Sequence, residues 1–274
     1  MTTLILVSRA DRASVTIRDA LLAMAPWKEE GAFHGLPVRR YGGFAMAETE
    51  RLHLECDGID AELRKAGVPA EVVLFASRHR AESGKPALTV HPLGNWGDAA
   101  LGGKARTVVP TAPVVMGRIL RRLHAEAAGL KHEVTLEATH HGPWLDTPAM
   151  FVEIGTDERA WADPDLGTRV ARSLLAARTP SAGDAAPTLL ALGGSHYAPR
   201  ATDLVRKARA NVGHVLPSYA LERGVDPATV LEAIRATPGC QGYFADAKQV
   251  EAIPAEIKQV FTALELGWWQ EQDL

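Results

Sequence analysis

Residues 71–79 read EVVLFASRH, an apolar run of strand length that ends in the polar side chains of Ser77, Arg78 and His79. The run is continuous rather than alternating, which is typical of a strand that is buried on both faces. Other apolar runs of similar length also end in polar residues, and they cover residues 3–7, 87–90, 134–139, 150–154 and 188–192. Together these runs predict the strands of a sheet with a polar rim.

Segments with helical patterns separate these runs, and they cover residues 13–24, 57–66, 114–128, 164–177, 202–211, 227–236 and 254–266. Strands that alternate with helices predict an α/β protein, with three layers around a mostly parallel or mixed sheet. We expect one domain over residues 1–274, with a lid or smaller second lobe around residues 94–131, where glycine and proline are frequent. In such sheets ligands bind outside the carboxyl ends of the strands, which is where this sequence places its histidines.

The composition narrows the class of protein. With 274 residues, of which 46% are hydrophobic, the chain can bury a sizeable core without covalent staples. Cys56 and Cys240 are far apart in the sequence, which excludes a disulfide framework and a cysteine-rich zinc module and fits a reducing compartment. The net charge of −3 argues against a basic nucleic-acid coat. The apolar run 1–7 is too short for a signal peptide or a membrane helix, so we expect no membrane partner.

Half of the ten histidines fall at or just after predicted strand ends, and these are His79, His91, His140, His141 and His196. Imidazole is the commonest metal ligand and the side chain that titrates near neutral pH, so all five are candidate metal ligands. His140 and His141 would point to opposite faces of an extended strand. Both reach one ion if the chain turns at Gly142-Pro143; the alternative is a surface turn that carries two histidines.

Two carboxylates lie in otherwise apolar strands, Glu137 and Glu153. Burial of a carboxylate costs several kcal/mol unless it is paired, hydrogen-bonded or bound to a metal. With His140 and His141 they are candidate catalytic residues, as a general base or as metal ligands. The alternative is that both strands lie at a sheet edge and that both carboxylates face water. The spacing does not match the helical H-E-x-x-H zinc motif.

Gly193, Gly194 and Ser195 follow the strand at 188–192 and allow close approach of backbone to an anion. They do not form G-x-G-x-x-G, so no dinucleotide site is predicted, and Ser195 beside His196 does not establish a catalytic triad. Basic residues cluster in two predicted helices, at Arg118, Arg121, Arg122, Arg206 and Arg209. They are candidates for contacts to RNA phosphates; the alternative is a solvated helix face.

Several motifs carry a family resemblance, in the order ASRH (76–79), GKPALTVH (84–91), THHGP (139–143), FVEIG (151–155), GGSHYAPR (193–200) and GH (213–214). With these motifs the sequence resembles the archaeal-type D-aminoacyl-tRNA deacylases, which are shared with plants. The matches keep their order from the first strand to about residue 220. The glycine-rich element of the family is often a run of three glycines, and Ser195 takes the third place here.

The resemblance implies hydrolysis of the ester between a D-amino acid and the 3′ end of tRNA, a phosphorylase/hydrolase-like α/β fold, dependence on zinc, and cytoplasmic work in translation. The partner is then tRNA rather than DNA, and the protein a monomer or small homo-oligomer. The candidate substrate contacts are Ser77, Arg78, Lys85, Asn95, Gly193, Gly194, Ser195, Arg118, Arg121, Arg122 and Arg206. Two alternatives stay open: a metal-dependent small-molecule hydrolase or nucleoside phosphorylase-like enzyme, and a non-catalytic RNA-binding module, which leaves the histidine clustering unexplained.

Overall fold

A computed structural model describes residues 2–81 and 84–274, so Met1, the first residue of the apolar run 1–7, lies outside the described residues. The strands are Thr3–Ser8 (β1), Lys28–Phe33 (β2), Leu36–Tyr41 (β3), Phe44–Thr49 (β4), Val72–His79 (β5), Ala87–Pro92 (β6), Gly94–Asn95 (β7), Thr107–Val108 (β8), Glu133–Leu136 (β9), Ala149–Gly155 (β10), Thr188–Leu192 (β11), Asn211–Leu216 (β12), Cys240–Phe244 (β13) and Gly267–Trp269 (β14). A strand forms in each of the six predicted runs, but the one predicted over residues 134–139 is wrong at its end, because β9 stops at Leu136.

The α-helices are Arg12–Met24 (α1), Ile59–Lys65 (α2), Pro113–Glu126 (α3), Glu158–Trp161 (α4), Pro164–Leu175 (α5), Pro199–Arg206 (α6), Ser218–Glu222 (α7), Pro227–Arg235 (α8), Ala247–Ala252 (α9) and Ala255–Ala263 (α10). The predicted helix over residues 202–211 is wrong at its end, because α6 stops at Arg206 and Asn211 begins a strand. Across both described ranges, every helix is too short or too polar to cross a bilayer.

Eight strands form the main sheet, in the order β2-β3-β4-β1-β5-β10-β6-β9. The α/β prediction is confirmed, and the sheet is mixed. β4, β1, β5 and β10 run parallel, whereas β6 runs antiparallel to β10 and β9 runs parallel to β6. β1 is buried along its whole length, as its continuous apolar sequence predicts. One face of the sheet packs on α1, α3 and α5, which contribute Ile17, Ile119 and Val170 to the largest core cluster.

The direction of β6 corrects one expectation. Because β6 runs against β5, the carboxyl ends of these two strands lie at opposite edges, so His79 and His91 do not share a sheet edge. They share a face instead. Glu153 pairs with Ser77 on β5 and with Thr89 on β6, and residues that pair directly have side chains on the same face. The histidines and Glu153 therefore meet on the face opposite the layer of α1, α3 and α5.

A second, parallel sheet has the order β12-β11-β13-β14. The chain that leaves β9 joins the two sheets, because the Ala138 N–H donates to His196 O and the Thr139 N–H donates to Val215 O. These contacts place the carboxyl ends of β11 and β12 beside the face of the main sheet that carries His79, His91 and Glu153. The residues that follow β11 and β9 are thereby brought to the residues of β5, β6 and β10.

Residues 94–131 contain the two-stranded ribbon of β7 and β8 and the helix α3. The buried face of α3, which includes Met116, Ile119 and Leu120, belongs to the largest core cluster. The loop between β7 and β8 lies against the histidines, since the Gly142 N–H donates to Leu101 O. A lid or lobe in this segment stays a prediction.

Candidate metal centre

Three histidine rings face one another beside the face of the main sheet that lies opposite α1, α3 and α5. The ring centroids of His91 and His140 are 4.2 Å apart, those of His140 and His141 4.3 Å, and those of His91 and His141 4.9 Å. Each Nδ1 donates to a backbone carbonyl: His91 to Pro92, His140 to Ala138, and His141 to Gly142. Metal-binding histidines are commonly held in this way, because the Nδ1–H bond fixes the tautomer and leaves the Nε2 lone pair free.

The turn that brings His140 and His141 together is present. His141 has a φ of +45°, in the left-handed region, which ends the alternation of an extended strand. A Cβ atom on Gly142 would lie 2.2 Å from the Gly103 backbone nitrogen, so this approach of two loops requires glycine. The Gly94 N–H also donates to His141 O. Both rings therefore face the same space.

A second group of donor atoms overlaps the first. Glu137 Oε2 is 3.6 Å from His140 Nε2 and 3.4 Å from His196 Nε2. Glu137 is fully buried, whereas the side chain of His196 is 45% exposed. The triads His91/His140/His141 and Glu137/His140/His196 each bring three donor atoms within 4.8 Å of one another, and both include His140. His196 forms the side that is open to solvent.

His79 lies behind these two triads, between the carboxylates. Its Nδ1 is 2.9 Å from Glu137 Oε1 and 3.4 Å from Glu153 Oε2, and its Nε2 is 2.9 Å from the Tyr197 hydroxyl. Both ring nitrogens thus have partners within the protein. One donor atom each of His79, Glu137 and Glu153 likewise lies within 4.8 Å of the other two.

Burial and ion pairing shift the pKa values of His79, Glu137 and Glu153 in opposite directions. Burial lowers the pKa of His79, but its contacts with Glu137 and Glu153 outweigh burial and raise it to about 10. Burial raises the pKa of Glu153, but contacts with His79 and His91 lower it to about 2, and the pKa of Glu137 is lowered likewise by His196 and His79. At neutral pH the two carboxylates are charged and enclose an imidazolium.

The pKa values of the adjacent histidines, His140 and His141, are shifted in the opposite direction from that of His79. Burial, together with the charge of His91, lowers the pKa of His141 to about 4 and lowers that of His140 as well. For His91, the nearby carboxylate of Glu153 outweighs burial and raises the pKa. His140 and His141 are therefore neutral at neutral pH, and neutral imidazole is the form that binds a metal.

The donor set fits a metal ion. His91 Nε2 and Glu137 Oε2 are buried without a hydrogen-bond partner among the described residues. Such atoms are costly to bury because they lose their bonds to water. Imidazole nitrogen and carboxylate oxygen are both zinc ligands, and a cation bound in either triad would satisfy the orphaned atom of that triad.

The family model described as D-aminoacyl-tRNA deacylase matches residues 66–268. The chain belongs to the D-aminoacyl-tRNA deacylase family. It is 35% identical to the D-aminoacyl-tRNA deacylase of Methanosarcina acetivorans, with 98% of this chain and 92% of the relative covered. It is also 35% identical to that of Thermoplasma acidophilum, with 89% and 90% covered. The resemblance seen in the motifs is confirmed.

A solved structure titled as a conserved protein of unknown function has the same fold as this family member. It superposes with a TM-score of 0.88 at 28% sequence identity, and the alignment covers 99% of this chain and 95% of the solved one. The architecture of both sheets is therefore shared along almost the whole length.

Several of the candidate substrate contacts line or border the centre. Ser77, Arg78, His141 and Glu153 line a small cavity of about 90 Å³, together with Asp11, Leu52, His53, Leu54 and Phe151. Asp11 fixes Ser77 and Arg78, because its Oδ2 accepts hydrogen bonds from the Ser77 hydroxyl and from the backbone N–H of Arg78. This cavity opens between the first histidine triad and the carboxyl ends of β1 and β5.

The remaining candidate contacts lie on other segments. The Asn95 amide donates to Gly102 O and Lys104 O and so fixes the loop between β7 and β8 beside Gly142. Gly194 O accepts from the Ser218 N–H, which joins the glycine loop to α7. Lys85 is exposed in the segment before β6. The glycines and Ser195 thus position His196, and their contact with substrate stays a prediction.

The candidate arginines are not brought to the histidines. Arg118 forms a bidentate pair with Asp184, Arg121 donates to Val205 O and to the Ser181 hydroxyl, and Arg206 pairs with Asp203. Arg121 and Gly183 lie against Asn211, the first residue of β12, whereas the histidines lie at its far end. Five residues of strand separate the two ends by roughly 16 Å. Contact of these arginines with RNA stays a prediction.

We expect Arg118→Ala to lower stability rather than catalysis. The variant loses the pair with Asp184 and a hydrogen bond to Ala177 O, and hydrogen bonds to charged groups contribute about 1.5–3 kcal/mol each. Urea unfolding followed by circular dichroism measures the loss. Arg122→Ala is the control, because Arg122 is half-exposed and pairs with Glu126 of its own helix, and it should change stability by less than about 0.5 kcal/mol. Equal stability of both variants would contradict the structural role of Arg118.

Sequence reasoning did not single out Asp11, His53, Phe151 and Tyr197 as parts of the site. Asp11 follows β1 in a polar stretch and caps α1 through the Ser14 N–H. His53 is buried in a short 3-10 helix and packs edge-on against Phe75 and Phe151. Tyr197 follows His196 directly, and its position in that motif was the available signal.

Proposed function

We propose that this protein hydrolyses the ester bond that joins a D-amino acid to the 3′ end of tRNA, and that the histidine–glutamate cluster is its metal-dependent active centre. One observation carries the proposal: three converging imidazoles, each anchored through Nδ1 to a backbone carbonyl, with Nε2 free. Membership in the deacylase family supplies the substrate class. We infer a cytoplasmic place of action from the same substrate.

Zinc is the metal we propose, because imidazole and carboxylate are its ligands and its catalytic sites commonly have three protein ligands and one open position. His91, His140 and His141 would hold one ion, and Glu137, His140 and His196 form the alternative set. The chemistry that such an ion supplies is Lewis-acid activation of water and of the ester carbonyl. His79 then keeps Glu137 and Glu153 oriented rather than acting as a ligand.

Glu153 is the proposed general base. It lines the small cavity next to His141, and it is ionised at neutral pH, so it can accept a proton from the attacking water. The Thr89 hydroxyl donates to Glu153 Oε2 and fixes the carboxylate. Water adds to the ester carbonyl, the bond to the 3′ oxygen breaks, and the proton passes from Glu153 to that oxygen. The products are free D-amino acid and tRNA.

Matched D- and L-tyrosyl-tRNA test the proposal. The purified, zinc-loaded protein should release D-tyrosine far faster than L-tyrosine, because the family is defined by D-aminoacyl esters. The release of labelled amino acid under single-turnover conditions measures both rates. Equal rates would contradict chiral proofreading, and no release with zinc present would contradict hydrolysis. A small-molecule hydrolase, the alternative, would cleave D-tyrosine ethyl ester as efficiently as the tRNA ester.

A further inference from the structure

Large apolar side chains are rarely exposed in the part of the chain that the structure describes. The exposed ones are Tyr41, Leu101, Tyr219 and Leu264. Two of them, Leu101 and Tyr219, lie on segments that hydrogen-bond to the chain beside His141 and beside His196, whereas Tyr41 ends β3 and Leu264 follows α10. Single exposed apolar side chains are ordinary on a protein surface, so the relevant observation is the position of these two beside the proposed centre.

Tyr219 borders the side of His196. It lies on α7, and the N–H of the preceding Ser218 donates to Gly194 O at 2.9 Å, in the loop that carries His196. Burial raises the pKa of Tyr219. The charge of Arg223 lowers this pKa, and the charge of Glu137 raises it, so the Tyr219 hydroxyl lies close enough to Glu137 to interact with its charge. The ring is 37% exposed, and the Arg223 guanidinium lies 5.7 Å from its centroid.

Leu101 borders the side of His141. Its carbonyl accepts from the Gly142 N–H at 3.1 Å, one residue after His141, and its side chain is 58% exposed. The same loop carries Lys104, whose Nζ lies 3.1 Å from the centroid of the Trp144 ring. Leu101 and Tyr219 thus lie on two separate segments that hydrogen-bond to the chain beside His141 and beside His196.

The character of these two segments favours a base over a phosphate. Asp98 and Glu222 lie on the same two segments as Lys104, Arg106 and Arg223, so these segments carry only one excess positive charge. What they offer is an aromatic face and an apolar side chain. Bases of single-stranded nucleic acid stack on such faces without needing hydrogen-bond readout.

Binding of a tRNA 3′ end beside the donor cluster rests on the proposed function. The 3′ end of tRNA is single-stranded, and the ester under attack is on the ribose of its terminal nucleoside, so the base of that nucleoside must lie beside the donor cluster. We infer that Tyr219 and Leu101 form a seat for the terminal adenine of the tRNA 3′ end, with the base stacked on the Tyr219 ring.

Steady-state kinetics on D-tyrosyl-tRNA test the seat. Stacking contributes about 1–3 kcal/mol per base, so Tyr219→Ala should raise KM about 5- to 150-fold. Tyr219→Phe keeps the ring and should stay within about twofold of the wild type. Leu101→Ala should raise KM by less than Tyr219→Ala. The controls are Tyr41→Ala and Leu264→Ala, which remove side chains of similar exposure elsewhere and should leave KM unchanged.

A spectroscopic measurement separates this inference from hydrolysis. An uncharged RNA hairpin with a CCA end carries 2-aminopurine as its terminal base, whose fluorescence is quenched when it stacks. The wild type and Tyr219→Phe should quench it, and Tyr219→Ala, checked for folding by thermal melts, should not. Equal quenching by Tyr219→Ala, or an unchanged KM in that variant, overturns the seat. Quenching by a wild type that does not hydrolyse D-tyrosyl-tRNA supports the seat and contradicts the proposed function.

Discussion

His140→Ala is expected to abolish most of kcat and to remove bound zinc, because His140 is the histidine that both donor triads share. Loss of a residue that merely supports a metal ligand costs roughly 10- to 100-fold, and loss of the shared ligand should exceed this. Single-turnover deacylation of D-tyrosyl-tRNA gives the rate, and elemental analysis gives the zinc content. His141→Ala, which affects one triad, should retain more zinc than His140→Ala.

His124→Ala is the matched control, since His124 is exposed in the last turn of α3 and should leave rate and zinc content unchanged. Normal zinc content with a reduced rate in His140→Ala would assign an acid–base role to His140 instead of a ligand role. A normal rate in a folded His140→Ala would place the centre elsewhere, with His91 and His196 as the next residues to replace.

Glu153→Gln should lower kcat by roughly 100-fold or more, the scale of a missing general base, while zinc remains bound. The substitution keeps the shape of the side chain and removes the charge. Because Glu153 helps to raise the pKa of His79 to about 10, the variant should also lower that pKa towards the ordinary value of about 6.5. NMR titration of the His79 ring measures the shift independently of catalysis.

Glu133→Gln is the control for charge removal, because Glu133 is exposed at the start of β9. It should change neither kcat nor the titration of His79. A kcat within a few fold of the wild type in Glu153→Gln, together with the expected shift of His79, would show that Glu153 only positions the imidazole and would transfer the role of base to Glu137.

Much of the fold could be predicted because buried strands have apolar sequences that can be recognised directly. Continuous apolar runs such as those of β1 and β5 indicate strands covered on both faces. The direction of β6 was missed, although a signal was present: seven residues, 80–86, separate β5 from β6. A parallel crossover needs a dozen or more residues, so this short connection favours antiparallel strands.

The types of residue in the site could be predicted from the sequence, but the partners of the candidate arginines could not. Histidines at strand ends and carboxylates in apolar strands indicated a cluster, since isolated buried charges are costly. The i, i+3, i+4 spacing placed Arg118, Arg121 and Arg122 on one helix face, but it could not reveal that Asp184, 66 residues away from Arg118, takes up the first of them. Long-range ion pairs depend on how helices pack, which local spacing does not encode.

The central claim is that hydrolysis of D-aminoacyl-tRNA depends on a metal held by the histidine–glutamate cluster. The most direct test is to titrate zinc into exhaustively demetallated protein, with the residual metal checked by elemental analysis, while D-tyrosyl-tRNA hydrolysis is followed. We predict no hydrolysis before zinc is added and a rate that rises with zinc until the site is filled. Full activity of the demetallated protein would contradict the account.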